Sequence, residues 1–330
     1  MKYSIITFGC QMNKSDSERI ASLLEKDGYK PALKTTQADL VIINMCSVRQ
    51  SAVDRVNGLL PKIKNLKAKI VLTGCVLKKD EAKFKKRGWV DEVWNNKDYL
   101  NIIPKNSQTT FVPISNGCNN NCSYCVVPLT RGRLSCRSHE KIIKEVKDLA
   151  NQGHKEIWLL GQSVNDYFSS ADLSVTFAEL LKKINNIPGK FSLRFMSPHP
   201  KNFSQKLIEV MAQSDKVAKY IHLPVQSGDN SILKKMKRDY TVVQYKKLVK
   251  RIKEAMPDIN LTTDVIVGFP GETKKQFENT LKLFKDIKFN LAYISKYSPR
   301  PGTSAFQSKD DVPLEEKKRR EQCLRNLLSS

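Results

Sequence analysis

The sequence has no run of eighteen or more apolar residues, so no transmembrane helix and no membrane partner are expected. It opens Met-Lys-Tyr-Ser, without a secretory signal. Eight cysteines in 330 residues fall short of a disulfide scaffold, and a reduced, cytoplasmic setting suits that many unpaired thiols. No low-complexity segment and no fixed-period repeat is present. Histidine is scarce, and neither His199 nor His222 has a partner at metal-ligand spacing. Gly268-Phe-Pro-Gly-Glu-Thr273 is glycine-rich but lacks the lysine of a phosphate-binding loop, so it reads as a strand-to-helix turn. Acid is also short: 57 Lys and Arg face 33 Asp and Glu, a net charge of +24. A polyanionic partner such as RNA explains that excess. A Lys-rich chain with solvated faces explains it equally well.

What is present is concentrated in cysteine. Cys118, Cys122 and Cys125 stand in Ser115-Asn-Gly-Cys-Asn-Asn-Asn-Cys-Ser-Tyr-Cys-Val-Val-Pro128, a Cys-x3-Cys-x2-Cys spacing with Tyr124 before the last thiol. Three thiolates can hold three irons of a [4Fe–4S] cube, and no fourth cysteine follows at ferredoxin spacing. An iron left open can bind a small molecule and pass it an electron. Structural zinc normally takes four protein ligands, and the nearest further thiol, Cys136, lies eleven residues on. The cluster therefore ranks above zinc, and zinc above a disulfide. The spacing resembles the radical S-adenosylmethionine (SAM) superfamily, in which SAM chelates the free iron.

The first hundred residues alternate strand and helix, which predicts a small α/β unit with a parallel sheet. Three β-branched runs each end in cysteine: residues 2–10, 38–46 and 68–75. Ser15-Asp-Ser-Glu18 has capping-box spacing ahead of a helix carrying Ile20, Leu23 and Leu24, and residues 47–66 form a second helical stretch. Ligands bind beyond the carboxyl ends of such strands. Cys10, Cys46 and Cys75 would therefore converge on one edge as a second three-thiol site. Three unrelated buried cysteines are the alternative, and three strands all ending in cysteine argue against it.

From about residue 110 the pattern restarts. Strands are expected near 111–115, 156–161, 191–196, 220–225, 260–268 and 291–297. Helices are expected between them, for example over 140–150, 177–184, 242–256 and 274–287. Six βα units predict a partial (βα)6 TIM-like barrel whose active face lies at the carboxyl ends of its strands. The expected domains are 1–105 and 106–330, the second ending in a charged helical tail over 314–328. Cys136 and Cys323 are given no role.

With both cysteine sets placed, the chain resembles the radical-SAM methylthiotransferases, from Lys2 to about Phe306. The likeness is carried by Gly9-Cys-Gln-Met-Asn13 with Asp16-Ser-Glu18, by Asn44-Met-Cys-Ser-Val-Arg49, and by the loop running on to Pro-Leu-Thr-Arg-Gly132. It continues through Leu160-Gly-Gln-Ser-Val-Asn165, Arg194-Phe-Met-Ser-Pro-His-Pro200, His222-Leu-Pro-Val-Gln-Ser-Gly228, Thr263 to Thr273, and Tyr297-Ser-Pro-Arg-Pro-Gly-Thr303. Gln11 and Met12 resemble the MiaB branch, which acts on N6-isopentenyladenosine at tRNA position 37, as does Cys125-Val-Val-Pro. The branches acting on threonylcarbamoyladenosine or on a ribosomal-protein aspartate read differently after the first cysteine. Three features depart from the family pattern. The chain stops at Ser330, where a C-terminal RNA-binding TRAM domain would begin, Leu134 replaces a frequent Glu, and Met45 a frequent Thr.

The resemblance implies two [4Fe–4S] clusters and SAM. Cys118, Cys122 and Cys125 would hold the SAM-cleaving cluster, and Cys10, Cys46 and Cys75 an auxiliary cluster that carries the methylthio group. A 5′-deoxyadenosyl radical would take hydrogen from C2 of the adenine, the base being splayed out of the anticodon loop of a tRNA. Tyr124, Gln162, Asn165, Arg194 and Gln226 are the expected cofactor contacts, with loop packing as the alternative for Tyr124 and a hydrogen-bonded structural role as the alternative for the others, equally open for Asn165 and Arg194. Ser197, His199, His222, Ser227 and Asp264 also stand at barrel strand ends, with hydrogen-bonded structural roles equally open. Arg49, Arg131 and Arg133 are read as phosphate grips or structural ion pairs. A reductant such as flavodoxin or ferredoxin is implied, and a monomer is expected. Another branch of the family, or a non-catalytic basic RNA-binding Fe–S protein, remains the alternative.

Overall fold

Leu40–Cys46 is a strand buried at every position, so both of its faces are covered. Its neighbours explain how. The computed structural model describes residues 1–104 and 109–329. Contacts divide the chain into two units: Met1–Asn119 with Val126–Gly161, and Asn120–Cys125 with Gln162–Ser330. The domain boundary expected between residues 105 and 106 lies outside the described residues.

In the first unit the order is β1 (Lys2–Thr7), α1 (Gln11–Lys26), β2 (Lys30–Pro31), β3 (Leu40–Cys46), α2 (Gln50–Ile63), β4 (Lys69–Cys75), α3 (Lys78–Lys86) and β5 (Glu92–Val93). The strands form one parallel sheet in the order β2-β1-β3-β4-β5. Period-two alternation splits β3 between two cores. Val41, Ile43 and Met45 pack with Val53, Val56 and Leu60 of α2. Leu40 and Ile42 pack with Ile20 and Leu24 of α1. The unit continues with β6 (Phe111–Pro113), β7 (Ser115–Asn116), α4 (Val127–Thr130), β8 (Ser135–Cys136), α5 (His139–Asn151) and β9 (Glu156–Leu160). β6 pairs in parallel with β9, and β7 with β8 as a short antiparallel ribbon.

One local expectation is corrected. α1 begins at Gln11, so Ser15 to Glu18 lie inside it rather than at its cap. Cys10 and Asn13 form the capping box instead, the Cys10 N–H donating to Asn13 Oδ1 at 3.3 Å. Ser15 donates to the Phe111 carbonyl at 3.1 Å, and the Glu18 carboxylate accepts from the N–H and hydroxyl of Thr109, both at 2.7 Å. The spacing is real, but those side chains serve tertiary bonds.

The second unit holds β10 (Ser192–Phe195), β11 (Tyr220–His222), β12 (Asn260–Val267) and β13 (Leu291–Lys296), with α6 (Phe177–Asn185), α7 (Gln205–Gln213), α8 (Asn230–Lys235), α9 (Val242–Ala255), α10 (Lys274–Ile287) and α11 (Leu314–Ser329). β11, β12 and β13 pair in parallel. Thr241 with Gln244, and Thr273 with Gln276, close capping boxes that start α9 and α10. α9 buries Tyr245, Leu248, Val249 and Ile252, the i, i+3, i+4, i+7 face that sequence periodicity requires. The Gly268–Thr273 segment is the expected strand-to-helix turn, with the Gly268 N–H donating to Glu272 at 2.6 Å. Together the two units give the expected α/β class. α7 fills the expected interval between β10 and β11, and the short α8 is an additional helix ahead of α9.

Candidate active site

Cys10, Cys46 and Cys75 meet at one end of the first sheet. β3 and β4 end on Cys46 and Cys75, which are register partners, and Cys10 caps α1 three residues beyond β1. The Ser47 N–H donates to the Cys75 carbonyl at 2.8 Å. Cys46 and Cys75 are buried in one cluster with Ala52, against Phe8, while Cys10 is exposed. Cys46 is lowered to about 7, first by the hydrogen bond from Cys75, against burial, with the Val48 and Arg49 N–H groups assisting. Cys75 is pushed up by that same bond and by burial. Of the two thiols, Cys46 is the more readily deprotonated.

A clamp of amides fixes these strand ends. Asn13 Nδ2 donates to Asn44 Oδ1 at 2.8 Å and to the Met45 carbonyl at 3.1 Å. Asn44 Nδ2 returns bonds to the Asn13 carbonyl at 2.8 Å and to Ser17 at 2.9 Å. Gly74 lies against this clamp at φ +93°, and a Cβ there would stand 2.3 Å from Asn44 Oδ1 and 2.5 Å from the Met45 carbonyl. The glycine before Cys75 is thus required by conformation and by space.

Arg131 completes the first site. Its side chain is 1% exposed. Nε donates to Cys75 Sγ at 2.9 Å, Nη1 to Asn116 at 2.9 Å and Nη2 to Asp16 at 2.6 Å. Burial works against the Arg131 charge, but facing Asp16 and Cys75 outweigh it and hold the guanidinium charged. A phosphate grip is therefore ruled out for Arg131, whose fork is spent inside the protein. Arg49 and Arg133 are exposed.

The second thiol set lies on a loop that passes between units after Asn119 and returns after Cys125. In the first unit the Cys118 N–H donates to the Gly132 carbonyl at 3.1 Å. Gly117 precedes it at φ +77°, where a Cβ would stand 2.3 Å from the Arg133 carbonyl. In the second unit the Cys125 N–H donates to the Cys122 carbonyl at 3.1 Å. Ser123 between them is tied down twice, its N–H to the Met236 carbonyl at 3.0 Å and its hydroxyl to the Lys235 carbonyl at 2.8 Å. Arg238 Nη1 donates to Cys122 Sγ at 3.4 Å, and Nη2 to the Pro224 carbonyl at 3.1 Å. Tyr124 packs edge-on to Phe269, ring centroids 6.5 Å apart, beside a core of Ile232, Met236, Tyr297 and Ala305.

Among the described residues no group of three His, Cys, Asp or Glu is suited to holding a single metal ion. A cubane makes a different demand, because each thiolate binds an iron of its own.

Comparison with known proteins decides the family. The radical SAM superfamily profile matches residues 112–284, and an uncharacterised protein family, UPF0004, matches residues 2–95. A tRNA-2-methylthio-N(6)-dimethylallyladenosine synthase of Clostridium botulinum is 42% identical over 97% of this chain and 79% of its own length. Synthases of the same name from Thermoanaerobacter and Syntrophomonas wolfei are 42% and 40% identical, over 94% and 97% of this chain and 74% and 80% of their own. The chain belongs to the tRNA-2-methylthio-N(6)-dimethylallyladenosine synthase family. Its fold is the radical-SAM fold. A radical SAM methyltransferase, TsrM from Kitasatospora setae, aligns at TM-score 0.71 over 92% of this chain and 77% of that one, at 14% identity. The cobalamin-dependent radical SAM enzyme OxsB aligns at 0.63 over 99% of this chain and 56% of that one, at 12% identity.

Within this synthase family the remaining expected residues fall as follows. Gln162 is half-buried after β9. Asn165 clamps the His199 backbone, accepting its N–H at 2.7 Å and donating to its carbonyl at 2.8 Å. The Arg194 guanidinium lies 5.2 Å from the Tyr220 ring centre. Gln226 is buried at φ +69°, and its Oε1 has no hydrogen-bond partner among the described residues. His222 bridges Thr262 at 2.9 Å and Asp264 at 3.0 Å. Ser227 accepts the Asp229 N–H at 3.2 Å. His199 is lowered to about 3 by burial and by the Arg238 and Lys201 charges. Met45 is fully buried in the sheet core, so that departure changes packing. The Leu134 N–H donates to Asn119 at 3.1 Å. Sequence reasoning did not single out Asn44 or Arg238. Asn44 sits in a quoted motif, and Arg238 carries no local signal because it reaches Cys122 across 116 residues.

Proposed function

We propose that the protein is a tRNA adenosine methylthiotransferase. It adds a methylthio group to C2 of N6-isopentenyladenosine at position 37 of the anticodon loop, with SAM as radical source and methyl donor. Residues 1–105 form the methylthiotransferase domain and 106–330 the radical-SAM core, a division supported by the matches over 2–95 and 112–284. Cys118, Cys122 and Cys125 hold one [4Fe–4S] cluster, and Cys10, Cys46 and Cys75 the other. The observation that carries this reading is the pairing of Cys46 with Cys75 at the carboxyl ends of β3 and β4, with Cys10 beside them at the cap of α1, in a chain of this family. An all-thiol donor set at strand ends, exposed on the Cys10 side, suits an Fe–S cluster open to a substrate.

When bound, the two clusters supply the electron that breaks a carbon–sulfur bond of SAM and the sulfur that ends on C2. The protein's own residues position and shield. Ser123 and Tyr124 anchor the Cys122–Cys125 turn in the core, so two thiols keep fixed directions. The buried amide oxygen of Gln226 suits an N–H or O–H of SAM, because a buried acceptor without a donor is costly. Gln162 and Arg194 complete the cofactor contacts, and Asn165 positions the segment after β10 by holding the His199 backbone. The +24 charge supports a polyanionic substrate. The protein works in the cytoplasm as a monomer, with flavodoxin or ferredoxin as reductant. No described helix is long and apolar enough to cross a membrane.

The test is anaerobic. The chain is reconstituted with iron and sulfide and incubated with SAM, reductant and isopentenylated tRNA. Digested RNA is then searched by mass for the 2-methylthio nucleoside, which is the expected product. If 5′-deoxyadenosine forms but no such nucleoside does, the substrate belongs to another branch of the family. If neither forms, the non-catalytic RNA-binding alternative replaces this reading.

A further inference from the structure

The Arg131 side chain is among the most thoroughly enclosed charges in the first unit, and its fork reaches three different partners. Nε points at the Cys75 sulfur, Nη2 pairs with the buried Asp16 carboxylate, and Nη1 binds the Asn116 amide. Asp16 is itself 2% exposed. Burying such a pair is expensive, and a hydrophobic pair of equal volume is often as stable. Asn116 in turn donates to Asn96 at 2.9 Å, and Asn96 donates to the Gly74 carbonyl at 3.3 Å, next to Cys75. The residue after Arg131 also matters: the Gly132 carbonyl accepts the Cys118 N–H. One dipeptide therefore touches a thiol of one set through a side chain and a cysteine of the other through the backbone.

We propose that Arg131 is a positioning residue that sets the reduction potential of the auxiliary cluster through its hydrogen bond to Cys75, with Asp16 as the counter-charge that limits the effect. This rests on the reading that Cys10, Cys46 and Cys75 hold a cluster. The physical reason is direct. Hydrogen bonds and net charge at the sulfurs set the potential of an Fe–S centre, and outer partners orient its ligands. A positive N–H aimed at a thiolate stabilises the reduced, more negative cluster. Arg131 thus raises the potential, and Asp16 lowers it by neutralising part of that charge. The two residues act on one sulfur with opposite signs, which no purely structural role requires.

The experiment uses the full chain with Cys118, Cys122 and Cys125 changed to Ala, so that only the auxiliary cluster is read. Iron per chain and the midpoint potential, by EPR-monitored titration, are measured for this background and for Asp16→Asn, Arg131→Gln and Arg131→Lys within it. Arg131→Gln is expected to shift the potential downward and Asp16→Asn upward. Arg131→Lys keeps the charge but loses the planar fork, and is expected to fall between the background and Arg131→Gln. If Arg131→Gln holds no iron, Asp16→Asn decides, because it retains the guanidinium. An upward shift there supports the proposal, and an unchanged or lower potential overturns it. Equal potentials in all four proteins overturn it as well. A background chain that takes up no cluster removes the underlying reading along with the proposal, whereas a loaded cluster indifferent to Arg131 and Asp16 removes the proposal alone.

Discussion

Cys118, Cys122 and Cys125 are neighbours in the chain, whereas Cys10, Cys46 and Cys75 are about thirty residues apart and meet only when a sheet forms. The first set depends on a loop and its anchors: Gly117, Ser123 and Tyr124. The second depends on strand order and register, because Cys46 opposes Cys75 only while β3 and β4 pair as they do. Each set has its own arginine, Arg238 at Cys122 and Arg131 at Cys75. The arginines differ in surroundings. Arg131 faces a buried carboxylate, while Arg238 faces the Tyr240 hydroxyl at 3.1 Å and the Pro224 carbonyl. The Cys-x3-Cys-x2-Cys spacing is set by the chain itself, whereas the Cys46–Cys75 pairing exists only in the folded sheet.

The largest expected effect separates the two sets chemically. Cys122→Ala should abolish 5′-deoxyadenosine formation while the auxiliary iron stays bound. Cys46→Ala should leave 5′-deoxyadenosine formation in place and remove the methylthio product. Iron per chain and mass analysis of both products check this, and equal losses in the two variants would break the comparison.

Next comes the dependence on register. Gly74→Ala adds a Cβ against Asn44 and the Met45 carbonyl at positive φ, and should destabilise the apo chain by about 2–4 kcal/mol. Gly28→Ala has a similar φ of +84° but nothing within 4 Å, so only about 1 kcal/mol of strain is expected. Urea unfolding of both variants measures the difference. Similar values would mean that the Asn13–Asn44 clamp yields easily.

A smaller effect belongs to the second unit. His199 is held neutral down to about pH 3, against an ordinary value of 6.5. Between those values the unfolded chain binds the extra proton, so stability falls as pH falls through that window. His199→Gln should flatten that part of the apo stability profile, measured by urea midpoints from pH 7 to 4. A profile identical to the parent would remove His199 from the acid response.

The smallest effect is expected at the exposed Lys69–Glu92 pair, 2.5 Å apart at the edge of the first sheet. Lys69→Ala should change stability by less than about 0.5 kcal/mol. A larger loss would show that the edge strand β5 contributes to register.

The sequence alone determined the strand–helix alternation, the spacing of the two cysteine sets and the family. Periodicities of 2 and 3.6 are local properties, and the Cys-x3-Cys-x2-Cys loop carries its spacing in eight consecutive residues. The three strand-terminal cysteines were legible for the same reason, since a strand ends where its pattern ends. Only the tertiary structure decided what surrounds them. Ser15 and Glu18 looked like a helix cap and serve tertiary bonds, because helix entry is fixed by Cys10 and Asn13. Arg131 could be read as a phosphate grip until its partners Asp16 and Cys75, 115 and 56 residues away, closed around it. Charge partners at that separation are chosen by packing, and no pattern of neighbouring residues records them.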